Sequence, residues 1–340
     1  MCSVDDGRPD DDDGKGDCVN PNFFAEGVTY DVTPAAGASA HCESNLRKAF
    51  GDDGIVQLAG ENPDLIREGL LLCDGDDDDM TNSELGYAVR DWIDSALSYM
   101  AMGNFPYRSS YILNGVGELP PYPVRAACEF LADDLSRNGS ELALLNGLAG
   151  FAGVYYNASG MLSCNSLSSP VNNASRAVEE MWDYQYCAQI FQIFGRASDD
   201  KDMYWNDEWD GDAAAKSCQE KYGFPPDRYH FSLSYGRPRD WSRDGASNIV
   251  WSQGEYDPWK GGGLRTNLTD SLVGFVIEGG AHHLDLFWSH ENDTEAVSRA
   301  RNFEIAMIGQ WVGEKSAGRQ DMTSFGRLRG NAAHKIAAAT

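Results

Sequence analysis

Residues 248–290 read NIVWSQGEYDPWKGGGLRTNLTDSLVGFVIEGGAHHLDLFWSH, and this stretch decides the fold. Residues 248–252 are β-branched and aromatic and run into Gly254, which predicts a strand. Asp257 follows in the turn QGEYDPWKGGG. Residues 271–277 form a second apolar run, closed by Gly279 and Gly280, with His282 and His283 just beyond it. In open α/β sheets ligands bind outside the carboxyl ends of the strands. An acid after one strand and a His after the next is half of a nucleophilic triad. The acid orients the imidazole, and the imidazole deprotonates a serine. The chain between Asp257 and His282 suffices for a glycine-rich loop, a crossing segment and one strand, and acid before His is the α/β-hydrolase order. Spacing alone also allows Asp257 to be a turn residue before Pro258 and both His to be polar loop residues.

The motifs NIVWSQGEYDPWKGGGL and EGGAHHLDL carry more information than their spacing. They closely resemble the serine peptidase family of lysosomal Pro-Xaa carboxypeptidase and dipeptidyl peptidase II, over about residues 20–312. The resemblance implies Asp257 as triad acid and His282 as triad base. It also implies an α/β fold: the C-terminal part of an α/β-hydrolase core with a large inserted helical cap. Proline-containing peptides are the implied substrates, and Trp259 is a candidate wall for a proline ring. GGGLRTNLTDSL and EGGAHHLDL look nearer the dipeptidyl peptidase branch.

The nucleophile itself is not found. The family's Gly-Gly-Ser-Tyr-Gly-Gly elbow does not occur in these residues. Ser234 in HFSLSYGRP has Tyr-Gly after it but Leu233 before it, a bulky neighbour where a strand-to-helix elbow needs close backbone approach. The expectation is therefore the C-terminal two-thirds of such an enzyme, carrying acid and base without the serine. The alternative is a vestigial or peptide-binding homologue.

The chain has 340 residues, 42% apolar and 11% aromatic, enough for a sizeable core. Its net charge of −26 argues against nucleic acid or an anionic membrane as partner. No apolar run reaches the roughly 18 residues of a membrane span, and MCSVDDGRPDDDDGKGD is too acidic to read as a signal peptide. Eight cysteines without a CxxC pair exclude zinc-ribbon and thioredoxin-like readings and fit disulfides in an oxidising compartment. Five sequons, at Asn138, Asn157, Asn173, Asn267 and Asn292, point the same way. The family resemblance implies the pairs Cys42–Cys128, Cys73–Cys164 and Cys187–Cys218, each worth roughly 3–4 kcal/mol, and leaves Cys18 free or paired with Cys2. It also implies a secretory-route location, lysosomal, vacuolar or extracellular. No cofactor or metal is expected. A metal set of His282, His283, Asp285 and His290 lacks an HExxH pattern, Asp10 to Asp13 read as solvated acid rather than a calcium site, and the acidic run at 74–79 lacks a calcium loop's Gly and Glu. The expected partners are peptide substrates, with a homodimer as the one assembly entertained.

Along the chain, 1–19 reads as an acidic disordered segment and 20–40 as a link from the hydrolase core. Residues 41–200 read as the helical cap, 201–315 as the C-terminal part of the core, and 316–340 as a loose tail. NSELGYAVRDWIDSALSYMAM carries an apolar stripe through Leu85, Val89, Trp92, Ile93, Ala96, Leu97 and Met100. Residues 201–247 read as loop-rich, and 295–312 as a core helix through Val297, Phe303, Ile305, Ile308 and Trp311.

Overall fold

A computed structural model describes residues 20–75, 77, 79–113, 116–167, 173–235, 241 and 244–316. The acidic segment 1–19 with Cys2 and Cys18, the tail 317–340 and the side chain of Asn173 lie outside the described residues. Helices dominate the N-terminal part: α1 (Phe23–Asp31), α2 (Cys42–Phe50), α3 (Ile55–Glu61), α4 (Pro63–Leu70), α5 (Asn82–Met102), α6 (Pro123–Cys128), α7 (Leu135–Asn138) and α8 (Glu141–Tyr156). Three more follow, α9 (Asn173–Ala188), α10 (Gly211–Tyr222) and α11 (His230–Tyr235). Then come β1 (Ile249–Gly254), β2 (Leu272–Ile277) and α12 (Glu295–Ser316).

Helix α5 is the spine of the helical part. It starts in a capping box: Glu84 N–H donates to Thr81 Oγ1 and Thr81 N–H to Glu84 Oε2. Leu85, Val89, Trp92, Ile93, Ala96, Leu97 and Met100 recur every three or four residues and are all buried. Gly86 lets α3 come close, since a Cβ there would stand 2.9 Å from the Val56 Cα. On its other side Trp92 stacks on Tyr156 of α8 with centroids 4.8 Å apart. Asn45, fully buried on α2, is satisfied at every polar atom. Its Nδ2 donates to the Leu131 and Asp133 carbonyls and its Oδ1 accepts from Ser136 N–H.

Three disulfides tie these elements. Cys42–Cys128 joins α2 to α6, Cys73–Cys164 joins the loops after α4 and α8, and Cys187–Cys218 joins α9 to α10. The last sits in a small apolar cluster with Phe191. Helices α10 and α11 correct the loop-rich reading of 201–247. Asp210 caps α10 by accepting from Asp212 and Ala213 N–H, and Gly223 ends it at φ 82°.

Strands β1 and β2 pair in parallel, Ile249 opposite Leu272 through Gly254 opposite Ile277. A parallel pair needs a crossing connection, most often a helix. Here the crossing is a 3₁₀ turn, Pro258–Gly262, and an irregular loop. Helix α12 packs on this pair, with Phe303 edge-on to Phe275 at 5.4 Å and Val297 fully buried. Ile305 and Ile308, read from the sequence as core, are 69% and 55% exposed. Two strands make a narrow surface, and it covers Val297 and Ala300 but leaves Ile305 and Ile308 open. The outer half of α12 therefore overhangs the two described strands.

Candidate active site

Gly254 closes β1 beneath the β2 turn, where a Cβ would stand 2.7 Å from the Gly280 carbonyl oxygen. Tyr256 N–H donates to that carbonyl and locks the two turns together. Asp257 comes next and caps the 3₁₀ turn, its Oδ1 accepting from Trp259 N–H at 2.9 Å. Its other oxygen, Oδ2, is 3.0 Å from His282 Nδ1. The carboxylate is 6% exposed. A carboxylate can only accept here, so Nδ1 carries the proton and Nε2 is the basic end of the ring. The sequence-derived pair, Asp257 and His282, thus meets at the tips of neighbouring parallel strands.

The His283 ring lies tilted against His282 at 3.7 Å, with its backbone at φ 59°. Partial burial, then the adjoining His282 ring, hold its imidazole below the ordinary His range. His290 stacks instead on Tyr107 at 3.9 Å.

Further residues brace the acid turn, and no local sequence pattern marks them. Helix α1 packs directly on Pro258–Gly262; a Cβ on Gly27 would stand 2.8 Å from the Pro258 Cα. Tyr30 of α1 donates to Glu255 Oε1 at 2.5 Å, and Gly279 N–H donates to Glu255 Oε2 at 2.7 Å. Lys260 donates to the Glu255 carbonyl and lies over the Tyr30 ring at 4.6 Å. Burial pulls the Lys260 ammonium below its usual range, against the pull of Asp31, Glu255 and Asp257. Asp31 is fully buried with both carboxylate oxygens lacking a hydrogen bond, and burial drives its carboxyl well upward. Arg125 reaches in from α6, donating to Tyr256 Oη at 2.7 Å and to the Ala36 carbonyl at 2.8 Å.

Trp259 lies 6.3 Å from His282, ring centre to ring centre. Its other side faces Phe24 at 5.1 Å and Phe194 at 5.5 Å. These three rings line a cavity of about 240 Å³ that ends on the Asp94–Arg196 pair, joined at 2.5 Å. Among the sequon residues, Asn138, Asn267 and Asn292 are exposed. Asn157 is bound at both ends of its amide, to the Leu162 carbonyl and N–H.

A buried acid and an imidazole thus meet across parallel strand ends on an α/β-hydrolase-like framework. The family model for Serine carboxypeptidase S28 matches residues 28–304, and the chain belongs to that family of serine peptidases. It is similar to lysosomal Pro-X carboxypeptidase of Pongo abelii, 29% identical over 306 residues, 89% of this chain and 58% of the relative. The Homo sapiens protein of that name is 28% identical over 306 residues, with the same shares. Prolyl carboxy peptidase like protein 5 of Caenorhabditis elegans is 28% identical over 246 residues, 68% of this chain and 46% of the relative. The match thus spans 58% of the length of the Pongo and human relatives.

Proposed function

We propose that this chain carries the acid and base of a Ser-Asp-His triad for hydrolysis of proline-containing peptides. The supporting observation is the 3.0 Å contact from Asp257 Oδ2 to His282 Nδ1. His282 Nε2 would take the serine proton during attack on the scissile carbonyl and return it to the leaving amine. Asp257 would hold the Nδ1–H tautomer and stabilise the imidazolium between those steps. Relatives named Pro-X carboxypeptidase favour that branch over a dipeptidyl peptidase. The helices α2–α9 are the candidate cap, and the cavity beside Trp259 is the candidate pocket for the proline ring. The lysosomal names of those relatives, the three disulfides and the exposed sequons support a secretory-route, lysosomal location.

The nucleophile in this reading comes from outside these 340 residues. Ser234 sits inside the short helix α11, not at a strand end, and is exposed. A second reading, a peptide-binding homologue without catalysis, is favoured by the same lack of an elbow motif. A fluorophosphonate probe separates the alternatives. The 340-residue chain should stay unlabelled, whereas a form extended by a segment bearing the Gly-x-Ser-Tyr-Gly elbow should label and lose labelling on His282→Ala. Stoichiometric labelling of the 340-residue chain would refute the assignment of the nucleophile. No labelling of the extended form would leave the binding reading standing.

A further inference from the structure

Helix α5 ends at Met102, and that one residue touches both halves of the candidate site. Its carbonyl accepts the His282 backbone N–H at 3.2 Å. Its sulfur accepts the Trp259 Nε1–H, also at 3.2 Å. The sequence explains why the carbonyl is available. The last carbonyls of a helix lack intrahelical donors, and the residue four positions on is Pro106, which has no N–H at all. His282 supplies the donor that Pro106 cannot. The sulfur contact matters because Trp259 also walls the 240 Å³ cavity and borders the imidazole. Asp94, on the same helix, lines that cavity too. The cavity wall, Trp259, Met102 and the His282 backbone thus form one unbroken run of contacts.

We propose that Met102 is a positioning residue for the Asp257–His282 pair, transmitting the contents of the Trp259 cavity to the imidazole through its sulfur and its carbonyl. The proposal rests on the acid–base reading of that pair. It adds a role for a residue that takes no proton and touches no reacting atom.

The test is proton NMR on the full 340-residue chain. A ring Nδ1–H bonded to a carboxylate gives a far-downfield resonance, assigned by its loss in Asp257→Asn and His282→Gln. Met102→Leu keeps the volume and the carbonyl and removes only the acceptor sulfur. It should broaden or abolish the Nδ1–H resonance and speed exchange of the Trp259 indole proton roughly fivefold, the factor for one modest hydrogen bond. Met102→Gln restores an acceptor oxygen and should recover both signals. Wild-type resonances and exchange in Met102→Leu would overturn the proposal. A wild-type chain with no downfield resonance sensitive to Asp257→Asn would instead overturn the acid–base reading beneath it.

Discussion

Gly27 has no side chain because Pro258 occupies the space, and through Pro258 it sets the turn that carries Asp257. Gly27→Ala forces a Cβ to 2.8 Å from the Pro258 Cα, a backbone atom that cannot swing aside. We expect a loss of about 2 kcal/mol in chemical denaturation, an overpacking penalty, together with a displaced acid turn. An unchanged midpoint would mean that α1 does not clamp the turn. At this scale the sequence was legible where chemistry repeats a short local motif. Asp257 and His282 each follow an apolar run closed by glycine, so both could be named. Tyr30, Arg125 and Met102 could not, because their partners lie far along the chain and nothing local marks them. The disulfide pairing was equally closed to spacing and entered only through the family resemblance.

Helices were legible in proportion to their apolar stripe. The α5 stripe was plain, whereas its start was not read: Thr81 and Glu84 form the capping box there. Thr81→Ala should cost about 1 kcal/mol by removing the N-cap, measurable as a lower urea midpoint with an unchanged denaturant slope. A loss within error would mean that packing against α3 and α8 alone holds the helix start. In α10 the cap at Asp210 and the stop at Gly223 were present in the sequence, but the aromatic and acidic residues before them suggested a loop. The apolar spacing in α12 was read correctly as helical, but Ile305 and Ile308, taken from it as core, are exposed. Periodicity reports which residues share a face, not how much sheet lies beneath that face.

For the whole molecule the dominant electrostatic fact is acid. The chain carries 53 Asp and Glu against 27 Lys and Arg. Burial raises the carboxyls of Glu26, Asp31, Asp94 and Asp202, and it pushes Glu304 up to about 7. A raised carboxyl keeps its proton in the fold after the unfolded chain has lost it. Stability from such groups is therefore full below the unfolded value, near 4.5 for Glu304, and is lost as pH rises through about 7. Discounted for its half-solvated position, Glu304 alone contributes about 1 kcal/mol. Glu304 should thus favour a higher melting temperature as pH falls from 8 to 5, against the opposite pull of His283, and Glu304→Gln should remove its share of that slope. A slope unchanged in Glu304→Gln would contradict this.

The two larger disulfides interlace, since Cys73 lies between Cys42 and Cys128 while Cys128 lies between Cys73 and Cys164. A protease that nicks the backbone once anywhere between Cys42 and Cys164 leaves the fragments covalently one piece, held by at least one remaining bridge. Between Cys42 and Cys164 the helical part therefore tolerates a single cut in any loop without shedding either fragment, and only a reductant lets the pieces part.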